Sequence, residues 1–266
     1  MGDPLAQPYL QNALAAGLLV ALLSACVGYF VVLRSAAFAT HALAQIGFAG
    51  AAGAVLLGID PLVGLIAFAV LGSLGLGAAS ARSRTSDVVT ALVLVAALGT
   101  GALFLALAHS YAANVYALLF GTIVGVSRGD VLTIAAASAL ILLALGVLAR
   151  PLLFATVARE TAQTRGVSVV ALDVAFLVLV GLTAAVTVPV VGTLLIYSLA
   201  IGPAAAATRL TTRPAMTLAF AFLFAAVAVV AGIELAYVTD WPVGFFIALV
   251  TALEYLAARV YSGRES

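Results

Sequence analysis

Hydrocarbon offers backbone N–H and C=O groups no water, so a long apolar run must be a helix that pairs its own backbone or a segment hidden inside protein. Nine such runs succeed one another along this chain, at roughly 12–33, 38–57, 62–81, 88–108, 131–148, 169–188, 190–207, 215–237 and 243–260, each near the length of roughly 20 residues that a span needs. The pattern predicts an all-α polytopic integral membrane protein with about eight to nine transmembrane helices plus short re-entrant or coupling helices. Residues 1–266 then form a single transmembrane domain, with no room for a sizeable soluble one. Two places blur the count. Val115 to Val126 is apolar but short for a span, and only Pro189 and Gly192 separate the sixth run from the seventh, which predicts a tight hairpin or one broken helix.

With 65% hydrophobic and 8% charged residues, the composition excludes a soluble enzyme. Eleven basic against ten acidic side chains leave no basic stripe for phosphates, so no nucleic-acid partner is expected. All the basic residues are arginines. Without lysine the chain can hold neither a Walker A loop nor a Schiff-base nucleophile, so any ATP that drives it is hydrolysed by another subunit. The first eleven residues carry no arginine ahead of the apolar run, so a cleaved signal peptide is not expected. Cys26 stands alone, which excludes an intrachain disulfide.

Cytoplasmic loops collect positive charge. An outside N-terminus puts Arg34, Arg82, Arg84, Arg150, Arg159, Arg165, Arg209, Arg213, Arg259 and Arg264 inside and only Arg128 outside. Among the inside segments, 150–168 is the one where polar residues gather. Ala158, Arg159, Glu160, Thr161, Gln163, Thr164 and Arg165 fit two helical turns, and Gly166 supplies the left-handed residue that often ends a helix. A short helix of this kind is what a membrane subunit presents to a cytoplasmic motor, although a solvated loop has the same composition.

Within the runs, Thr40, His41 and Gln45 interrupt the second, and the last two, four residues apart, share a helix face. Ionisable groups in a membrane are costly and tend to face a pathway. Imidazole is also a common ligand for zinc and related metals. A histidine bonded to a neighbouring helix has the same sequence signature, so that reading stays open. His109, beside Ser110, Tyr111 and Asn114, reads as a loop residue. Asp173 and Glu254 inside runs, and Glu234 near an end, are either proton or cation relays or interhelical bonding groups. Tyr197 and Ser198 read as packing. Glycines at 47, 50 and 53, and at 72, 75 and 77, read as helix-packing positions.

The stretch Gly28 to Arg34, then Phe38-Ala-Thr-His-Ala-Leu-Ala-Gln45 with Gly50, and Gly58-Ile-Asp-Pro61, resembles the first two helices of the membrane permeases of bacterial ABC importers for zinc and manganese. Ala117 to Gly121 followed by Val126-Ser127, the segment Ala158 to Gly166, and Val191 to Ser198 with Pro203 to Arg209 resemble later motifs of that family in the same order. The resemblance implies a homodimer in the bacterial cell (inner) membrane. It also implies cytoplasmic ATPase subunits that carry the ATP, engaged through Ala158, Arg159, Glu160, Arg165 and Gly166, and an extracellular or periplasmic metal-binding protein. A divalent metal, zinc or manganese, is then the cargo, and no permanently bound cofactor is expected. The family commonly shows an aspartate and, four residues later, a histidine on the metal path, where this chain has His41 and Gln45. An imidazole and a neutral amide suit zinc better than manganese. A permease for iron chelates or vitamin B12, and a proton-coupled secondary transporter using Glu254 or Asp173, are the alternatives.

Overall fold

In the computed structural model, residues 8–82, 86–108, 121, 123–193 and 196–263 are described. His109, Ser110, Tyr111, Asn114, most of the Val115 to Val126 segment, Arg84, Arg264 and Leu194-Leu195 lie outside them. Among the described residues there are ten α-helices, one 3-10 turn and no strand. The helices are α1 (Pro8–Leu33), α2 (Ala37–Leu57), α3 (Pro61–Arg82), α4 (Ser86–Leu107), α5 (Arg128–Val157), α6 (Arg159–Thr164), α7 (Val169–Val191), α8 (Ile196–Leu210), α9 (Pro214–Thr239) and α10 (Val243–Ser262). Eight of them, all but α6 and α8, are long and apolar enough to cross a bilayer.

The run expected at 190–207 is where structure and sequence part. Pro189 does not end α7, which continues to Val191 and stops at Gly192 with φ 89°. A proline removes a single N–H, and a transmembrane helix tolerates that loss when neighbouring protein re-satisfies the carbonyl. A left-handed residue turns the chain out of the helix altogether. What remains is α8, with 15 residues.

The helix ends follow local chemistry. Gly58 at φ 70° closes α2: its N–H bonds to Val55 O (3.2 Å), and the next N–H, from Ile59, reaches Ala54 O (3.0 Å). Asp60 Oδ1 then accepts the Leu62 N–H at 2.8 Å, and Pro61 opens α3, where its missing N–H costs nothing. Ahead of α5, Ser127 and Asp130 make a reciprocal cap. The Ser127 N–H donates to Asp130 Oδ2 (3.0 Å), and the Asp130 N–H donates to Ser127 Oγ (3.2 Å).

By contacts the chain forms two compact units. The first holds residues 1–32, 116–139 and 186–266, and the second 33–115 and 140–185. In the first, α8, α9 and α10 pack on one another, with α1 against them through Gly28, where an added Cβ would strike the Ala200 carbonyl. Ala25, Ala204, Ala207 and Ala221 make a core of small side chains. That is the close backbone approach by which helices associate in lipid, where burial of apolar surface offers little gain. In the second unit α2 packs on α3 and on α4. Gly50 and Gly64 face each other so closely that a Cβ on either would meet the other's carbonyl oxygen. Gly47 meets Leu65, Gly53 meets Phe104 and Gly72 meets Ile46, whereas a Cβ added at Gly75 would meet nothing within 4 Å among the described residues. α2 is consequently the most enclosed span, with 72% of its apolar window buried against 17% in α4 and 22% in α5.

Candidate functional site

His41 and Gln45 lie in the first half of α2, one turn apart. Thr40, just before them, bonds back to the Ala36 carbonyl through its N–H (2.9 Å) and its hydroxyl (3.0 Å), which fixes the first turn. His41 is half-buried and Gln45 is fully buried. Neither the amide oxygen nor the amide nitrogen of Gln45 has a hydrogen-bond partner among the described residues. A buried polar group left in that state costs about 1–3 kcal/mol. Such groups usually need an explanation in an unseen water, an ion or a function. Among the described residues no three of His, Cys, Asp and Glu come together. What α2 brings together is one imidazole and, one turn on, one buried amide with no partner among the described residues.

The second place is the corner where α5, α6 and α7 follow one another. α6 spans Arg159–Thr164, so the helix expected from Ala158 to Arg165 is present in shortened form. Its end is the one predicted: Gly166 has φ 80°, its N–H bonds Gln163 O (3.0 Å), and the Val167 N–H bonds Ala162 O (3.0 Å). This 5→2 and 6→1 pair closes the last carbonyls and brings Val167 onto Ala162, where Ala155 and Val169 complete a small apolar cluster. Arg165 lies over the Phe154 ring at 6.0 Å. Arg159, Glu160, Arg165 and Gly166 are exposed, and Ala158 is half-buried.

Asp173, one turn into α7, proves to be an ion-pair residue. One carboxylate oxygen accepts from Arg34 and the other from Arg159 at 2.9 Å. The Arg34 side chain is 9% exposed. It also donates to Thr156 Oγ1 (2.8 Å) and to the Leu152 carbonyl (3.3 Å), with its guanidinium 5.3 Å from the centre of the Phe176 ring. Burial pulls Arg34 below its ordinary pKa and the Asp173 charge opposes that pull. With both oxygens engaged by arginines, Asp173 fits the reading of an interhelical bonding group rather than the alternative of a proton or cation relay.

Sequence reasoning placed Arg34 only as an inside loop charge and missed this network. The signal was there: an acid one turn into a span, just after a basic segment, needs a cationic partner. Of the remaining candidates, Glu234 is exposed, Tyr197 is 38% exposed, and Glu254 in α10 is partly buried with neither oxygen hydrogen-bonded among the described residues.

Comparison with known proteins assigns the chain. The model of the ABC 3 transport family matches residues 6–262. The manganese transport system membrane protein MntC of Halalkalibacterium halodurans is 28% identical over 98% of this chain and 90% of its own length. The high-affinity zinc uptake system membrane protein ZnuB of Haemophilus influenzae is 24% identical over 92% of this chain and 94% of its own. Among solved structures, PsaBC from Streptococcus pneumoniae in complex with Fab superposes with a TM-score of 0.87 at 27% identity, covering 96% of this chain and 93% of the other. The chain belongs to the ABC 3 transport family, as a multi-pass permease of the bacterial inner membrane that is a transport subunit, its ATP being hydrolysed by a separate one.

Proposed function

We propose that this permease imports a divalent transition-metal ion, zinc in preference to manganese, through a pathway in which His41 and Gln45 are successive contacts. The single observation that carries the reading is the fully buried, unbonded amide of Gln45 one turn from an imidazole in the most enclosed span. The similar proteins named for manganese and for zinc support metal as the cargo. The preference rests on ligand chemistry: imidazole nitrogen suits zinc, whereas manganese favours carboxylate, carbonyl and water oxygens. Gln45 contributes a neutral oxygen and no charge, so the ion is held weakly enough to leave, as transport requires.

In this reading residues 1–266 act as one permease domain, and two copies flank the pathway. ATPase subunits dock on α6 through Arg159, Glu160 and Arg165, with Ala158 and Gly166 setting its ends. A soluble metal-binding protein delivers the ion from outside. ATP acts by binding one transmembrane state better than the other, which is all that a ligand can contribute to a conformational equilibrium. The test is uptake into proteoliposomes holding the permease, its ATPase and its binding protein, with zinc, manganese and iron compared and His41→Ala alongside. Zinc-selective uptake that His41→Ala abolishes is the expected result. Uptake indifferent to His41 sinks the assignment of the path, and transport of an iron chelate in place of the free ions would replace metal-ion import altogether.

A further inference from the structure

The ion-pair network joins three pieces of chain that the transport reading treats separately. Arg159 is the first residue of α6. Asp173, fourteen residues on, holds it with one oxygen and holds Arg34 with the other. Arg34 cannot shift alone, because Thr156, the Leu152 carbonyl and the Phe176 ring grip the same guanidinium. It is followed by Ser35, a non-glycine residue in the left-handed region at φ 54°, and by Ala36, whose carbonyl anchors Thr40 beside His41. A staple between α5 and α7 needs only Arg34. The arm to Arg159 runs to a side chain that is 56% exposed and that water would satisfy equally well, so it adds little to stability. Its evident effect is to connect α6 to Arg34, three residues before α2 begins.

We propose that Asp173 is the positioning residue that transmits displacement of α6, through Arg159 and Arg34, to the first turn of α2 and the His41 side chain. The proposal rests on α6 being the ATPase-docking helix and goes beyond it, by naming the connection that such docking must drive. A merely structural acid would hold the fold and leave transport per ATP untouched.

The experiment uses the full permease with its ATPase and binding protein in proteoliposomes, with zinc ion as the probe, and reads zinc ions moved per ATP hydrolysed. Beside it, cross-linking from Gln163→Cys in a Cys26→Ser background to the ATPase reports whether α6 docks. Arg159→Gln, which leaves the part-buried Arg34–Asp173 pair in place, should lower transport per ATP by about tenfold, within the usual range of coupling between sites. Cross-links should still form, since Glu160 and Arg165 remain on α6 to hold the ATPase, the thermal midpoint should fall only slightly, and Arg159→Lys should recover most of the ratio. Asp173→Asn should lower it at least as far, the double variant no further, and Asp173→Glu should restore it in part. If Asp173→Asn does not fold, the Arg159→Gln and Arg159→Lys pair carries the test alone. An unchanged ratio in Arg159→Gln while cross-links still form overturns the role of Asp173 and leaves docking intact. Absence of cross-links together with ATPase activity indifferent to α6 overturns the docking reading, and this proposal with it.

Discussion

The corner around Asp173 and the first turns of α2 both place polar side chains in an apolar protein, and they treat them in opposite ways. At the corner, both Asp173 oxygens and both terminal nitrogens of Arg34 are bonded, and Thr156 passes its own hydroxyl on to Leu152 O at 2.6 Å. In α2 the Gln45 amide is buried deeper than any of these and makes no hydrogen bond within the described residues. A closed network resists movement within itself and so passes movement on. An open one loses stability and keeps its valences for something that comes and goes. On the readings proposed above, the two regions differ as a connecting rod differs from a binding station, and each difference is measurable.

The largest expected effect is at the closed region. Arg34→Leu strips Asp173 of its buried partner. Breaking a fully buried pair costs about 3–5 kcal/mol. Asp173 is 27% exposed and keeps Arg159, so about 2–3 kcal/mol is expected once that residual pairing is allowed for. A clear fall in the thermal midpoint of the purified permease, at one fixed scan rate, is the check. A midpoint within error of the parent would mean that the network is ornamental, and the contrast between the regions would collapse.

How much of this could be read from the sequence depended on whether a feature is local. Apolar length alone marks the spans, and a glycine after a polar hexad marks the end of α6, because both are decided within a few residues of chain. The extent of α7 was less legible. Pro189 and Gly192 both look like breakers, and only the backbone at Gly192 turns out of the helix. Arginine sidedness still asks α8, whose last turn holds Arg209, to cross back to the cytoplasmic face, and 15 residues rise only about 22 Å, so it is a short element for that task. The ion-pair network was not legible at all as a network. Arg34 and Asp173 are 139 positions apart, and no periodicity connects residues at that separation. His41 and Gln45 were visible as interruptions of a run, but that the amide would be the unbonded member needed the packing of α2 against α3 and α4.

A smaller effect, and of opposite sign, is expected at the open region. Gln45→Leu replaces an unbonded buried amide by an apolar group of similar length. An unsatisfied buried group costs about 1–3 kcal/mol, part of which the swap recovers, so stability should hold or rise by about 1 kcal/mol. Zinc uptake should fall steeply in the same preparation. Stability up and uptake down is the signature of a polar group kept for a ligand. A drop in stability comparable to that of Arg34→Leu would show that Gln45 is bonded after all, and the comparison would fail from the other side.

The smallest effect sharpens the comparison inside the closed region itself. Arg159→Gln removes the solvent-facing arm, whose arginine is 56% exposed, and leaves the inner pair intact. Pairs of that kind contribute about 0–1 kcal/mol, because side-chain entropy and screening offset most of the attraction. Raising the salt from about 0.1 M to about 1 M shortens the Debye length from about 10 Å to about 3 Å, which should erase what little remains. The parent and Arg159→Gln midpoints should therefore converge at high salt, while Arg34→Leu stays below both, since the desolvated inner pair is screened far less. If the outer arm proved as costly to remove as the inner one, and as insensitive to salt, Arg159 would belong to the structural staple. The network would then be one rigid block with no flexible end for a motor to move.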